Sequence, residues 1–175
     1  MPMNQSRFLA LAVLVATGVA ARFIPHPPNF SPVAALALFA GAQFASRRAA
    51  LAVPLLILFL SDLVLGLSAI TPVVYGSFAL IVWLGSGLRG RATAPRIALA
   101  SLGGAVLFFG LTNLGVWAVG GLYPRTWPGL AACYVAAIPF FRNTLTSDLL
   151  YTGLLFGTWT LLERRWRVLA AEAGR

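Results

Sequence analysis

The chain has no lysine, one histidine, one cysteine and only four acidic residues. A single cysteine, Cys133, excludes an intramolecular disulfide and any multi-cysteine metal site, leaving a small buried apolar residue as its expected role. With one histidine, His26, there is no paired-histidine metal site, so neither a metal nor a cofactor is expected. Charged residues make up 10% of the chain, against roughly 25% in an average soluble domain. No nucleotide-binding motif occurs, so any ATP would be hydrolysed by partners. No nucleophile and no acid-rich motif stands out, and the chain does not read as an enzyme.

What is abundant is apolar. Hydrophobic residues make up 59% of the 175, and the mean hydropathy is +0.86, the composition of an integral membrane protein. At roughly 20 residues per span the chain predicts an all-α, polytopic bundle of about six short helices in one domain covering 1–175. The net charge of +9 is carried by thirteen arginines in small groups between apolar runs, which are topology signals rather than a nucleic-acid surface. All-arginine usage with abundant alanine suits a GC-rich bacterial genome, and the bacterial cytoplasmic (inner) membrane is the expected location.

Apolar segments fall at 8–24, 31–46, 49–68, 72–88, 97–119 and 144–162, with a shorter one at 129–141. The first follows one charge, Arg7, and reads as an uncleaved span. The shortest is bracketed by Trp127-Pro128 and Pro139 and is too short to cross comfortably. Held outside as a re-entrant or interfacial segment, with both termini cytoplasmic, it gives ten cytoplasmic arginines (7, 47, 48, 89, 91, 96, 164, 165, 167, 175) against three outside (22, 125, 142). A crossing there leaves six inside and seven outside, so the positive-inside rule selects six spans.

This topology gathers the costly polar groups towards the outer half. They include Asp62, Tyr75, Asn113 and Trp117 at i and i+4, Tyr123 and Trp127 in a connection, and Arg142, Asn143, Asp148 and Tyr151 on the last span. Between the first two spans lies Arg22-Phe-Ile-Pro-His-Pro-Pro-Asn-Phe-Ser-Pro32, which holds four of the eleven prolines. Pro25, His26, Pro27, Pro28 and Pro32 read as a rigid lid or rim, with Arg22 and Asn29 facing a pocket. A polar half without a continuous path resembles an outward-facing small-molecule site more than a channel. Arg22 and Arg142 either pair with Asp62 and Asp148 or touch the ligand. Ala12, Ala16 and Ala20 form a small-residue stripe suited to another helix, in a different subunit or within the bundle.

The Arg22 to Pro32 stretch, with Leu38-Phe-Ala-Gly-Ala42, Ser61-Asp62, Phe108-Phe-Gly-Leu-Thr-Asn-Leu-Gly-Val-Trp117 and Pro139-Phe-Phe-Arg-Asn-Thr144, is similar to a family of uncharacterised bacterial integral membrane proteins. As architecture alone, the chain resembles the substrate-binding S component of an energy-coupling factor vitamin transporter. That resemblance implies capture of a vitamin-like small molecule, docking of the alanine stripe on a transmembrane coupling subunit with ATPases, and the lipid bilayer as surroundings. The alternatives are an intramembrane enzyme acting on a lipid or phosphate group through Arg22, His26, Asp62, Arg142 and Asp148, and a ligand-free accessory subunit.

Overall fold

The structure, a computed structural model, describes residues 5–173, with side chains described for 9 and 12–164. Arg7, Arg165, Arg167 and Arg175, used above for topology, lie outside the described side chains. Among the described residues there are six helices and no strand: α1 (Gln5–Phe23), α2 (Val33–Gln43), α3 (Arg47–Leu65), α4 (Thr71–Ser86), α5 (Ala94–Val119) and α6 (Trp127–Ala173). Of these, α3 and α5 are long and apolar enough to cross a membrane. Local chemistry sets several boundaries. Ser46 caps α3 by accepting the Ala49 N–H at 3.4 Å, while α4 and α5 carry proline in their first turn, where its missing N–H removes no helical bond.

One expectation is corrected. Segment 129–141 is not a separate outer element but the first part of α6, which runs unbroken for 47 residues. Pro128, read as a bracket, sits in the opening turn, and Thr126 caps the helix by accepting the Gly129 N–H at 3.2 Å. Pro139 lies inside the helix, where it removes one backbone bond without ending it. The register against α5 follows from side-chain contacts: Tyr134 donates to the Gly110 carbonyl at 2.6 Å, Phe141 packs on Phe109, and Thr152 reaches Ser101. Residues 142–148 therefore lie beside the middle of α5 instead of opening a span at its end.

The helices form an incomplete ring, α1, α3, α4, α5, α6 in order, around α2. Apolar on every face, α2 buries nine of its eleven residues, as a helix with no polar side must. Its closest neighbour is α4. Gly41 lies against the Val82 and Ser86 backbone and Gly85 against the Leu38 backbone, so the two helices approach to a distance that any Cβ would prevent. Arg89 closes this end by donating from Nε to the Gly41 carbonyl at 2.8 Å and from Nη1 to the Ala45 carbonyl at 3.3 Å. At 11 residues α2 is about 16 Å long, against about 28 Å for α3 at the same rise per residue. The ring continues past its N-terminus, and the 24–32 connection occupies only part of the space left there.

Candidate functional site

That space is a chamber of about 380 Å³. Its floor is Val33 and Ala34, the start of α2; its walls come from the ends of α3 and α4, from 108–116 of α5 and from 137–144 of α6. The wall positions are spaced by three and four, so each helix turns one face inward. Five phenylalanines (78, 108, 109, 140 and 141), with aliphatic side chains such as Leu58, Ile70, Val74 and Val116, make the chamber apolar with several aromatic faces.

The polar atoms in it are arranged by sign. Thr112 and Thr144 are buried and donate their hydroxyl hydrogens to the Phe108 and Phe140 carbonyls at 2.7 and 3.1 Å. Asn113 donates one amide hydrogen to the Phe109 carbonyl at 2.8 Å. Their oxygen lone pairs therefore remain to accept from a guest. Facing them, the first turn of α2 has amide hydrogens without helical acceptors, of which the Val33 N–H is taken by Ser31 Oγ at 3.5 Å, and Arg22 adds a guanidinium that is also bonded to Asp62.

The 24–32 connection is the roof, and it is fixed at several points. Phe30 N–H donates to the Pro27 carbonyl at 3.0 Å across Pro28 and Asn29, and Asn29 has φ of 63°. Proline at the first central position and a left-handed residue at the second make this a type II turn, the shape in which asparagine substitutes for glycine. Asn143 donates to the Pro28 carbonyl at 3.0 Å, and the Phe30 ring meets Tyr151 edge-on with centroids 5.9 Å apart. His26 Nδ1 bonds the Pro27 carbonyl at 3.0 Å, and Pro32 precedes α2, accepting the Leu36 N–H. At the rim, Arg22 pairs with Asp62 at 2.9 Å and Tyr75 donates to the other carboxylate oxygen at 3.1 Å.

Of the residues singled out from sequence, Arg22, His26, Asn29 and Asn113 line the chamber. Asp62 holds Arg22 from behind and is itself held by Tyr75, and Asn143 and Tyr151 brace the roof; none of these four lines the chamber. Trp117, expected on the same face as Asn113, lies outside the lining, with its indole N–H on the Pro124 carbonyl at 3.0 Å. Tyr123 and Arg142 are outside it as well, and Trp127 is 83% exposed at the start of α6. The Arg22–Asp62 pair forms; among the described residues Arg142 forms none with Asp148. Instead Asp148, 3% exposed, lies one turn beyond Thr144, in a narrow crevice below the chamber with Ser101 and Thr152, and its Oδ2 has no partner. Pro25, Pro27, Pro28 and Pro32 shape the roof without lining the cavity, while Ala12, Ala16 and Ala20 are exposed rather than packed within the bundle.

Sequence reasoning missed the phenylalanines as a lining. Their signal is a pattern that occurs twice, Phe108-Phe109-x-x-Thr112 and Phe140-Phe141-x-x-Thr144, each threonine bonded to the carbonyl of the first phenylalanine. The profile of a family of unknown function, DUF6580, matches residues 3–169. The chain belongs to this family. No curated protein and no solved structure matches it. The stretches that form the roof, the rim and both Phe-Phe-x-x-Thr walls all fall inside the region matched to DUF6580.

Proposed function

We propose that the protein is a membrane-embedded small-molecule binding subunit of the S-component type, with the chamber above α2 as its ligand site. The observation that carries this reading is the short central helix, which leaves an aromatic chamber under a roof bonded to its own walls. A volume of about 380 Å³ lies in the range of small-molecule pockets. The ligand that suits the lining is flat and aromatic, with N–H or O–H donors on the edge towards Thr112, Asn113 and Thr144 and an acceptor or weak acid towards Arg22 and the start of α2. A vitamin-like heterocycle has this chemistry.

The membrane setting is supported by the outward faces of the ring, which present large apolar side chains such as Phe59, Leu63, Trp83, Leu99 and Leu154. In this reading the chain crosses the bacterial cytoplasmic membrane several times, with the chamber on the extracytoplasmic side. The exposed Ala12, Ala16 and Ala20 meet a coupling subunit whose ATPases drive uptake.

Mass spectrometry of small molecules released from protein purified in mild detergent tests the reading. One aromatic compound should recur, and Ala137→Phe, which fills the chamber from its wall, should lower its recovery by about tenfold or more. Trp127→Ala, remote from the chamber, should leave recovery unchanged. The reading is overturned if no compound recurs, as expected of an accessory subunit, or if Ala137→Phe retains it fully.

A further inference from the structure

The bundle has a second concavity, a groove of about 620 Å³ on the outer flank of α4. It follows α4 from Val73 to Ser86, about 20 Å at 1.5 Å per residue. Leu51, Leu80, Trp83 and Leu111 make its sides hydrocarbon, and Leu80 and Trp83 are exposed. Gly76 leaves its floor open, with no atom within 4 Å of where a Cβ would stand.

One end is different. Arg47, from the first turn of α3, and Arg89, just beyond α4, both line the groove there. No carboxylate lines it, and the one ion pair among the described residues, Arg22–Asp62, is at the opposite end of the bundle. Arg89 spends Nε on the Gly41 carbonyl at the end of α2 and Nη1 on the Ala45 carbonyl just beyond it; its Nη2 is enclosed without an acceptor, and a turn of the guanidinium towards the groove would give it one. A buried donor on a charged group lacking an acceptor is costly, and phosphate oxygens are the acceptors that guanidinium groups fit best. Two uncompensated cations at the head of a slot as long as an acyl chain call for an occupant that is anionic at one end and hydrocarbon along the rest.

We propose that this groove binds one anionic phospholipid, with its phosphate at Arg47 and Arg89 and one acyl chain lying along α4. A free anion would use the arginines and leave the apolar length empty; a neutral lipid would use the length and leave the charges uncompensated. The inference rests on the membrane setting proposed above, and is independent of the ligand chamber.

The test begins with membranes washed at alkaline pH. Recovery of the protein in the aqueous fraction overturns the membrane reading itself. Protein that stays in the membrane is purified, stripped of lipid in neutral detergent and titrated separately with dioleoyl phosphatidylglycerol and dioleoyl phosphatidylcholine, with bound lipid counted by native mass spectrometry. One phosphatidylglycerol should bind about tenfold or more tightly than phosphatidylcholine, the difference expected from one or two charge-assisted contacts. Arg47→Gln, at an exposed position, should cut the preference for phosphatidylglycerol severalfold, leaving the share that Arg89 supplies. Gly76→Leu, whose side chain enters only the groove, should weaken both lipids. Arg89 is left intact because it also holds the end of α2. Equal affinity for the two lipids, an Arg47→Gln variant whose preference for phosphatidylglycerol is undiminished, a Gly76→Leu variant that binds normally, or displacement by millimolar inorganic phosphate would each overturn the lipid site and leave the membrane reading standing.

Discussion

The two ends of α2 are built in opposite ways. At its C-terminal end Gly41 and Gly85 bring the α2 and α4 backbones together, and Arg89 ties the last carbonyls to the start of the next connection. At its N-terminal end the same ring of helices, with Phe78, Phe108, Phe109, Phe140 and Phe141 on its inner face, encloses open space. Apolar character alone does not distinguish the halves, and large aromatics such as Phe39 and Phe156 pack in the solid one too; the bundle is hollow where the short central helix has ended. The largest predicted effect tests the solid half. Gly85→Leu drives its Cβ into the Leu38 carbonyl, a backbone atom that no rotamer change can move, so α2 and α4 must separate. The expected loss is about 3 kcal/mol or more, read as a fall in melting temperature in detergent. Ala137→Leu, at the chamber wall, should cost less than about 1 kcal/mol, because its added methyl groups enter space. Equal losses at the two positions would show that the halves are packed alike.

The two carboxylates nearest the chamber repeat the contrast between partnered and unpartnered groups. Asp62 is held by Arg22 and Tyr75, and the ion pair is only partly buried, with the side chains 22% and 10% exposed for Arg22 and Asp62. Asp148 is almost wholly enclosed and makes no ion pair among the described residues. Asp62→Leu strands the guanidinium and the phenol together and should lower stability by about 2 kcal/mol, below the 3–5 kcal/mol of a fully buried pair because solvent still reaches Arg22. Asp148→Leu removes an unsatisfied buried oxygen and should be neutral or stabilising by about 1 kcal/mol. Thermal melts of both variants rank them directly. An Asp148→Leu variant less stable than Asp62→Leu would mean that this carboxylate has a partner in the working molecule.

Several features were legible in the sequence for identifiable reasons. Long apolar runs separated by arginine, proline and serine mark the helices, since each of those residues either costs energy in an apolar helix or caps it. The Arg22 to Pro32 stretch was readable as a rigid roof because proline and asparagine in that order suit few backbone shapes. Pro139 misled, because proline counts as a breaker in sequence, whereas here the helix continues through it and carries Arg142 to Asp148 to the middle of the bundle. Trp117 misled for another reason. The lining stripe on α5 is 108, 109, 112, 113 and 116, and Trp117, at i+4 from Asn113, falls at the edge of that stripe, from which its indole N–H turns to the Pro124 carbonyl. The doubled Phe-Phe-x-x-Thr pattern was in plain view, but phenylalanine in an apolar protein has no distinguishing value until the helices that carry it are known to face each other.

The smallest predicted effect separates shape from chemistry in the roof. Asn29 does two things: it holds φ at 63°, and its side chain lines the chamber. Glycine does the first and not the second, so Asn29→Gly should change stability by no more than a few tenths of a kcal/mol. Alanine does neither, and the left-handed conformation should cost it about 1 kcal/mol. If the amide contacts ligand, both variants should lose bound compound to a similar degree despite their different stabilities. If the residue is present only to form the turn, Asn29→Gly should retain ligand like the parent and Asn29→Ala alone should release it. Measuring melting temperature and compound recovery on the same two preparations decides between these outcomes, because only a ligand contact makes recovery independent of turn stability.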